Sequence, residues 1–315
     1  MAVEGGFGAG APPTVHAGLQ EPSAPVAAAA RRGGALLLVA RDTLRQPTGI
    51  FGTAVILVWV LVALFAPLLA PFDPNVQHAG VQLLPPGAQS YLLGTDELGR
   101  DILSRVIFGA RISVSVAFIA VLVGAVVGTV IGLVAGYFRG MLDTVLMRAA
   151  DIMLAYPGIL LGVVVVAVLQ AGVVQVAIAI AIINVPIFGR LARAGVLHER
   201  ELDYVAAAQL AGCSWRRVLF RHILPNAVGP LVVQASLSMA HAVLIEASMS
   251  FLGLGAQLPT ASWGAMLNES RQYLSQTWSF AIFPGVALAT LVLGLNFLAD
   301  ALRSALDPHA RGRSR

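Results

Sequence analysis

The sequence predicts an all-α, polytopic membrane protein with six transmembrane helices, on three observations. Hydrophobic residues make up 57% of the 315-residue chain and charged residues 11%, with a mean hydropathy of +0.81. That is far too apolar for a soluble domain. Apolar runs recur at about the 20-residue length that crosses a bilayer core, near residues 50–70, 112–137, 152–170, 172–190, 228–251 and 279–300. All 20 basic residues are arginine, and they crowd into alternate loops.

Residues 1–34, rich in Ala, Gly and Pro without apolar periodicity, read as a disordered tail. The run ALLLVA that follows Arg31 and Arg32 is too short for a secretory signal core. Residues 35–49 suit an amphipathic juxtamembrane helix whose Arg41 and Arg45 reach headgroups. The first span, 50–70, leads into an external loop and interfacial helix at 71–111. There Thr95 is placed to cap, Asp96 and Glu97 to sit in the first turn, and Asp101 to pair with Arg105 at i, i+4. This segment reads as a lead-in to the second span rather than a substrate contact.

Between spans two and three, Asp143, Arg148 and Asp151 belong near headgroups, because charge at the membrane centre costs about 2.5–3.5 kcal/mol on insertion scales. Pro157 loosens the start of span three. A tight Gln170-Ala171-Gly172 turn divides spans three and four, since a single helix there would overshoot the bilayer about twofold. Asn184 and Pro186 read as a kink. Span five carries Glu246 inside apolar sequence, and two readings stand open: a functional carboxylate in the path, or one that snorkels to water or bonds a neighbouring helix. Ser250 and Phe251 follow, and Trp263 suits an interfacial ring. Residues 301–315 form a short basic tail.

With the N-terminus inside, sixteen arginines fall in inside segments and four outside, namely Arg100, Arg105, Arg111 and Arg271. The positive-inside rule therefore places both termini, and the polar loop at 191–227, in the cytoplasm of a multi-pass cell (inner/plasma) membrane protein.

The same residues exclude functions. Without lysine there is no phosphate-binding P-loop, so the chain is not itself an ATPase. Cys213 alone allows no internal disulfide and no cysteine metal cluster. No catalytic pairing of carboxylates, histidines or nucleophiles stands out, and arginines confined to loops do not make a nucleic-acid surface. The expectation is a non-catalytic subunit with no cofactor, no metal and no nucleic-acid partner.

The longest polar interruption of the second half runs from Glu201 to Asn226. It reads as two short helices: Asp203 caps the first, Tyr204, Ala207, Ala208 and Ala211 share a face, Gly212 ends it, Ser214 recaps the second, and Pro225 closes the segment. The stretch resembles the cytoplasmic coupling (EAA) loop of permease subunits of ATP-binding-cassette importers. Ala206, Ala207 and Ala208 take the Glu-Ala-Ala places, Gly212 follows after three residues, and Leu224-Pro225 after a further eleven. Ala206 departs from the Glu and His222 from the Ile of the pattern. YVAAAQLAG and RHILPN are closer to the dipeptide, oligopeptide and nickel branch. LGTDELGRDILSR with GARISV, Arg148 to Asp151 with Tyr-Pro-Gly, and SFLGLG with Ser262-Trp263-Gly264 resemble its C-type subunit, although the Trp common near Val185 is missing.

The resemblance implies a type I importer permease (MetI-like) fold, with residues 112–300 as the permease core. It implies a heterodimer with a second homologous permease, ATPase subunits that bind the ATP, an external substrate-binding protein, and a dipeptide or oligopeptide cargo. Asp203, Tyr204, Ala206, Ala207, Ala208, Gly212, Ser214, Leu224 and Pro225 would then contact the ATPase, and Glu246, Ser250 and Phe251 would lie at the outer gate or translocation path. Nickel or haem as cargo is an alternative, and an ion-gradient-driven secondary transporter a more distant one.

Overall fold

The computed structural model describes residues 39–306. The tail expected at 1–34, the start of the juxtamembrane helix and residues 307–315 lie outside them. A helical turn at 39–43 precedes α1 (Pro47–Leu64), which opens on a proline whose missing N–H costs nothing in a first turn. A break at Phe65 separates it from the single turn α2 (Ala66–Leu69), and an irregular segment with one 3-10 turn (Ala88–Ser90) follows.

The helix α3 (Ile102–Phe138) has 37 residues, about 55 Å at 1.5 Å per residue. The expected interfacial helix and second span are thus one rod. Asp101, not Thr95, caps it, accepting from the Ser104 N–H at 2.7 Å. Thr95 is buried, with its hydroxyl taken by the Leu84 N–H at 2.9 Å and by the Val81 carbonyl. Asp96 and Glu97 precede the helix, and Asp101 is engaged by Ser104 rather than Arg105.

Next come α4 (Gly140–Leu154) and α5 (Gly158–Leu169), bent by 95°. Pro157 stands at the N-cap of α5 and disfavours a helical residue before it, so it breaks span three instead of loosening it. The 12 residues of α5 reach about 18 Å, well short of a bilayer core. After the tight turn comes α6 (Val173–Arg200), whose leading Gly172 N–H donates to Leu254 O at 3.0 Å.

The chain continues through α7 (Asp203–Leu210), α8 (Trp215–Arg217), a π-helical turn (Val218–Ile223), α9 (Leu224–Phe251), α10 (Trp263–Ser270) and α11 (Ser279–Leu306). The described residues hold five helices long and apolar enough to cross a membrane, or six when the bent pair counts as one span. The fold is a polytopic helical membrane bundle.

Its centre is the contact of α3 with α6. Gly124, Gly128, Gly132 and Gly136 recur every four residues on one side of α3, where small residues let helix backbones approach closely. A Cβ on Gly128 would stand 2.3 Å from Val185 O, and one on Gly132 would stand 2.1 Å from Gly189 O. On the other flank α1 lies against α11, where Gly52 meets the Gly294 carbonyl and Trp59 Nε1 donates to Thr290 Oγ1 at 3.1 Å. Trp263 is not an interfacial ring. It is fully buried, donates Nε1–H to Val106 O at 2.9 Å, and meets Trp59 edge-on with centroids 4.9 Å apart.

The seam makes a paired prediction. Gly132→Ala drives a methyl into the Gly189 carbonyl and should lower stability by about 1–3 kcal/mol, the usual cost of overpacking. Gly189→Ala places its methyl 3.4 Å from Gly128 O, an ordinary contact, and should melt close to wild type. Thermal melting of the two purified variants in one detergent checks the contrast.

Candidate functional site

At the end of the bundle where α3 terminates, residues 201–226 sit on a fixed base. Val205, Val218, Leu219 and Ile223 are buried with Leu133 and Val196. Arg200 donates Nη1–H to Tyr137 O at 2.7 Å, with its guanidinium 5.7 Å from the Tyr137 ring centroid. Phe138 meets Trp215 edge-on at 5.2 Å. The exposed Arg139–Glu201 pair at 2.6 Å adds little, because water screens it. The adjoining α4 is clamped to α6 by Arg193, which donates to both Asp143 oxygens at 2.5 and 2.7 Å, and by the Arg190–Asp151 pair.

Asp203 is the first residue of α7 and makes no cap bond, because Leu202 holds the cap position. Val205 is the side chain α7 buries, and the face of Tyr204, Ala207 and Ala211 stays open, with Ala206 exposed and Ala208 half-buried. Leu210, at the end of α7, is 91% exposed. Gly212 has φ +77°, the left-handed conformation that side chains resist, and its N–H donates to Gln209 O at 3.0 Å. Ser214 stands at the cap of α8 without a side-chain cap bond.

Pro225 does not close the segment. It falls in the first turn of α9, where proline is tolerated, and from Trp215 to Phe251 the helical stretch runs on without a break. Tyr204 ties the two arms together: its hydroxyl donates to Glu199 and accepts from Asn226 Nδ2 at 2.9 Å, and that nitrogen also donates to His222 O at 2.9 Å. Burial first, and then the Glu199 carboxylate, push the Tyr204 hydroxyl up to about 12, so it holds its proton at neutral pH.

At the opposite end of α3 lies a buried cluster of charges. Arg100 reaches Asp96 at 2.6 Å, Glu97 at 3.0 Å and Glu269 at 3.1 Å, and Arg105 reaches Glu269 at 2.9 Å and Asp96 at 3.3 Å. Both arginines are fully buried. The cluster fastens the loop before α3 to α10. The carboxylates of Asp96, Glu97 and Glu269 lie within 4.8 Å of one another, close enough for a cation, but two guanidinium groups already occupy the space between them. Nothing in the sequence links Glu269 to this loop, since it stands 164 residues beyond Arg105.

Glu246 does not snorkel. It is buried and accepts from Ser113 Oγ on α3 at 3.0 Å and from Ser250 Oγ at 2.8 Å, a hydrogen-bonded bridge to a neighbouring helix. Phe251, the last residue of α9, has the Arg271 guanidinium 5.8 Å from its ring centroid.

Two family descriptions match this chain. Residues 128–312 match the binding-protein-dependent transport system inner membrane component, and residues 36–86 match the N-terminal transmembrane domain of oligopeptide transport permease C. The chain is 44% identical over 264 residues to a dipeptide transport system permease of Haemophilus influenzae, covering 82% of this chain and 90% of that protein. It is 45% identical to a di/tripeptide transport system permease of Pseudomonas aeruginosa, covering 82% of this chain and 86% of that one. It is 41% identical to a glutathione transport system permease of Pectobacterium atrosepticum, covering 85% and 89%. In fold it is similar to a chain of the inward-facing MetNI methionine ABC transporter, with a TM-score of 0.56 over 65% of this chain and 97% of that one, at 17% identity. The chain belongs to the family of binding-protein-dependent transport permeases of the inner membrane. Its members are membrane subunits rather than enzymes.

The charge cluster carries a pH prediction. Burial raises Glu97, helped by Asp96, and burial raises Glu269 in spite of its two arginines. A raised folded-state value means the folded protein holds protons that the unfolded chain releases, so stability falls as pH rises from the ordinary 4.5 through the raised values. Glu269→Gln should flatten this dependence in a melting-temperature series between pH 5 and 7. A series parallel to wild type would remove Glu269 from the account.

Proposed function

We propose that the chain is a permease subunit of an ATP-driven importer of short peptides, and forms half of the translocation path beside a second, homologous permease. The relatives are named for dipeptides, di/tripeptides and glutathione, itself a tripeptide, which supports a cargo of two or three residues. ATPase partners bind and hydrolyse the ATP, and an external binding protein delivers the cargo. Both termini and residues 201–226 face the cytoplasm, and the arginine distribution supports that orientation.

The single observation that carries the reading is mechanical. Segment 201–226 presents the open face of α7 and the exposed Leu210, while its base is buried and its second arm is continuous with α9. A short helix seated on an ATPase subunit transmits rigid-body motion, as a floppy loop would not. Asp203, Tyr204, Ala206, Ala207, Ala208 and Gly212 form the outer arm of this contact, and Ser214, Leu224 and Pro225 the inner arm leading into the membrane. At the far end, Glu246 and Ser250 brace α9 against α3 beside the outer gate, and Phe251 marks where α9 leaves the path.

Purification of the tagged chain from its native membrane in mild detergent tests the assembly. Recovery of a second permease, ATPase subunits and a binding protein is expected, and a chain that purifies alone would oppose the reading. Gly212→Val tests the coupling. A Cβ there meets open space, so the variant should insert and assemble. The left-handed backbone would cost about 1–2 kcal/mol and the cap should rearrange. ATP-dependent peptide uptake in proteoliposomes should then fall while assembly persists.

A further inference from the structure

The free face of α9 holds one ionisable side chain that the account so far leaves unused. His241 stands ten residues before the end of the helix, inside a stretch apolar enough to cross a membrane. It is exposed, and among the described residues it makes no hydrogen bond, ion pair or ring contact. Leu237, Leu244 and Ser248 lie on the same side at helical spacing, and Gln234, two turns before His241, flanks them and donates Nε2–H to Ser238 Oγ at 3.2 Å.

An ionisable residue within a span is costly against lipid, and such residues face the bundle interior or a water-filled cavity. Glu246, five residues on, shows how this chain treats a polar group it means to bury: two hydroxyls satisfy it. His241 has no such partners. We propose that His241, with Gln234 and Ser248, forms a peptide-contacting strip on the wall of the water-filled path. This rests on the permease reading above and deepens it.

The chemistry suits the cargo. The His241 ring nitrogens and the Gln234 amide can donate and accept, and the Ser248 hydroxyl, whose proton goes to Leu244 O at 2.7 Å, keeps an acceptor. Such groups meet the N–H and C=O that every peptide carries, whatever its side chains. The strip has no carboxylate or guanidinium, and conduction requires binding weak enough to release. The strip also lies on the helical stretch that begins at Trp215, so movement of segment 201–226 moves the contacts.

The lone native cysteine makes the test direct. In a Cys213→Ser background, His241→Cys and Ile119→Cys are compared in the assembled complex, in nanodiscs, with a charged, membrane-impermeant methanethiosulfonate. Ile119 is an exposed apolar residue of α3. His241→Cys should react at least about tenfold faster than Ile119→Cys, because the reagent follows water and lipid excludes charge. Equal, slow rates in an assembled complex would overturn the proposal and place His241 against lipid or the second permease. Should His241→Cys not assemble, uptake decides: His241→Leu should import about tenfold less peptide than His241→Gln, the scale of a lost hydrogen bond, and equal uptake would overturn the proposal. If the wild-type complex assembles but imports no peptide, the permease reading of the cargo fails while the accessibility of His241 is still read.

Discussion

Close backbone contact between α3 and α6 is the constraint on which the rest of the molecule depends. Four glycines spaced by four residues leave no room for a Cβ at three of their places, where carbonyl oxygens of α6 stand within 2.7 Å of the position it would take. In a membrane the apolar effect does not drive helices together, so dispersion and close fit must. Because α3 is held this firmly, its two ends can act as fixed points. One end anchors the Asp96, Arg100, Arg105 and Glu269 cluster, and the other supplies Leu133, Tyr137 and Phe138 to the base of segment 201–226.

The second organising feature is the unbroken helical stretch from Trp215 to Phe251. A π-helical turn at Val218–Ile223 takes up an extra residue where Val218, Leu219 and Ile223 must all face the buried base. Pro225 comes one residue after Leu224 opens α9, just past the π-helical turn that precedes it. In the proposed coupling, movement of α8 would therefore be passed into α9 through this continuous stretch. Toward its other end α9 is bridged to α3 by the Glu246–Ser113 hydrogen bond. A mechanical element thus links the surface that would meet an ATPase to the helix that would line the path.

The membrane class and the family were legible in the sequence because they rest on local signals: apolar run length, arginine placement, and motifs whose spacing lies within one segment. The Gly212 turn was legible for the same reason, since a left-handed cap needs only its own residue. The helix ends were read less well. Thr95 and Asp203 are good capping residues, but burial took the first and Leu202 displaced the second. Pro157 and Pro225 carry the same chemistry with opposite outcomes, one breaking a helix and the other beginning one. Trp263 reads as interfacial from its indole alone, and only the approach of Val106 and Trp59 shows that it is core. The partnership of Glu269 with Arg100 and Arg105 is a tertiary fact that no local pattern announces. The α3 glycine register, Gly124 to Gly136, also stands in the sequence as a four-residue repeat, but only the facing carbonyls of α6 give it its meaning.

The central claim is that α7 seats on an ATPase subunit and drives α9. A photo-crosslinking amino acid at Leu210, the 91% exposed residue at the end of α7, tests it most directly in the complex purified from native membrane. The account predicts a crosslink to the ATPase subunit whose yield changes between ATP-bound and nucleotide-free states. A crosslink only to lipid or to the chain itself, in a complex that still contains the ATPase, would contradict it.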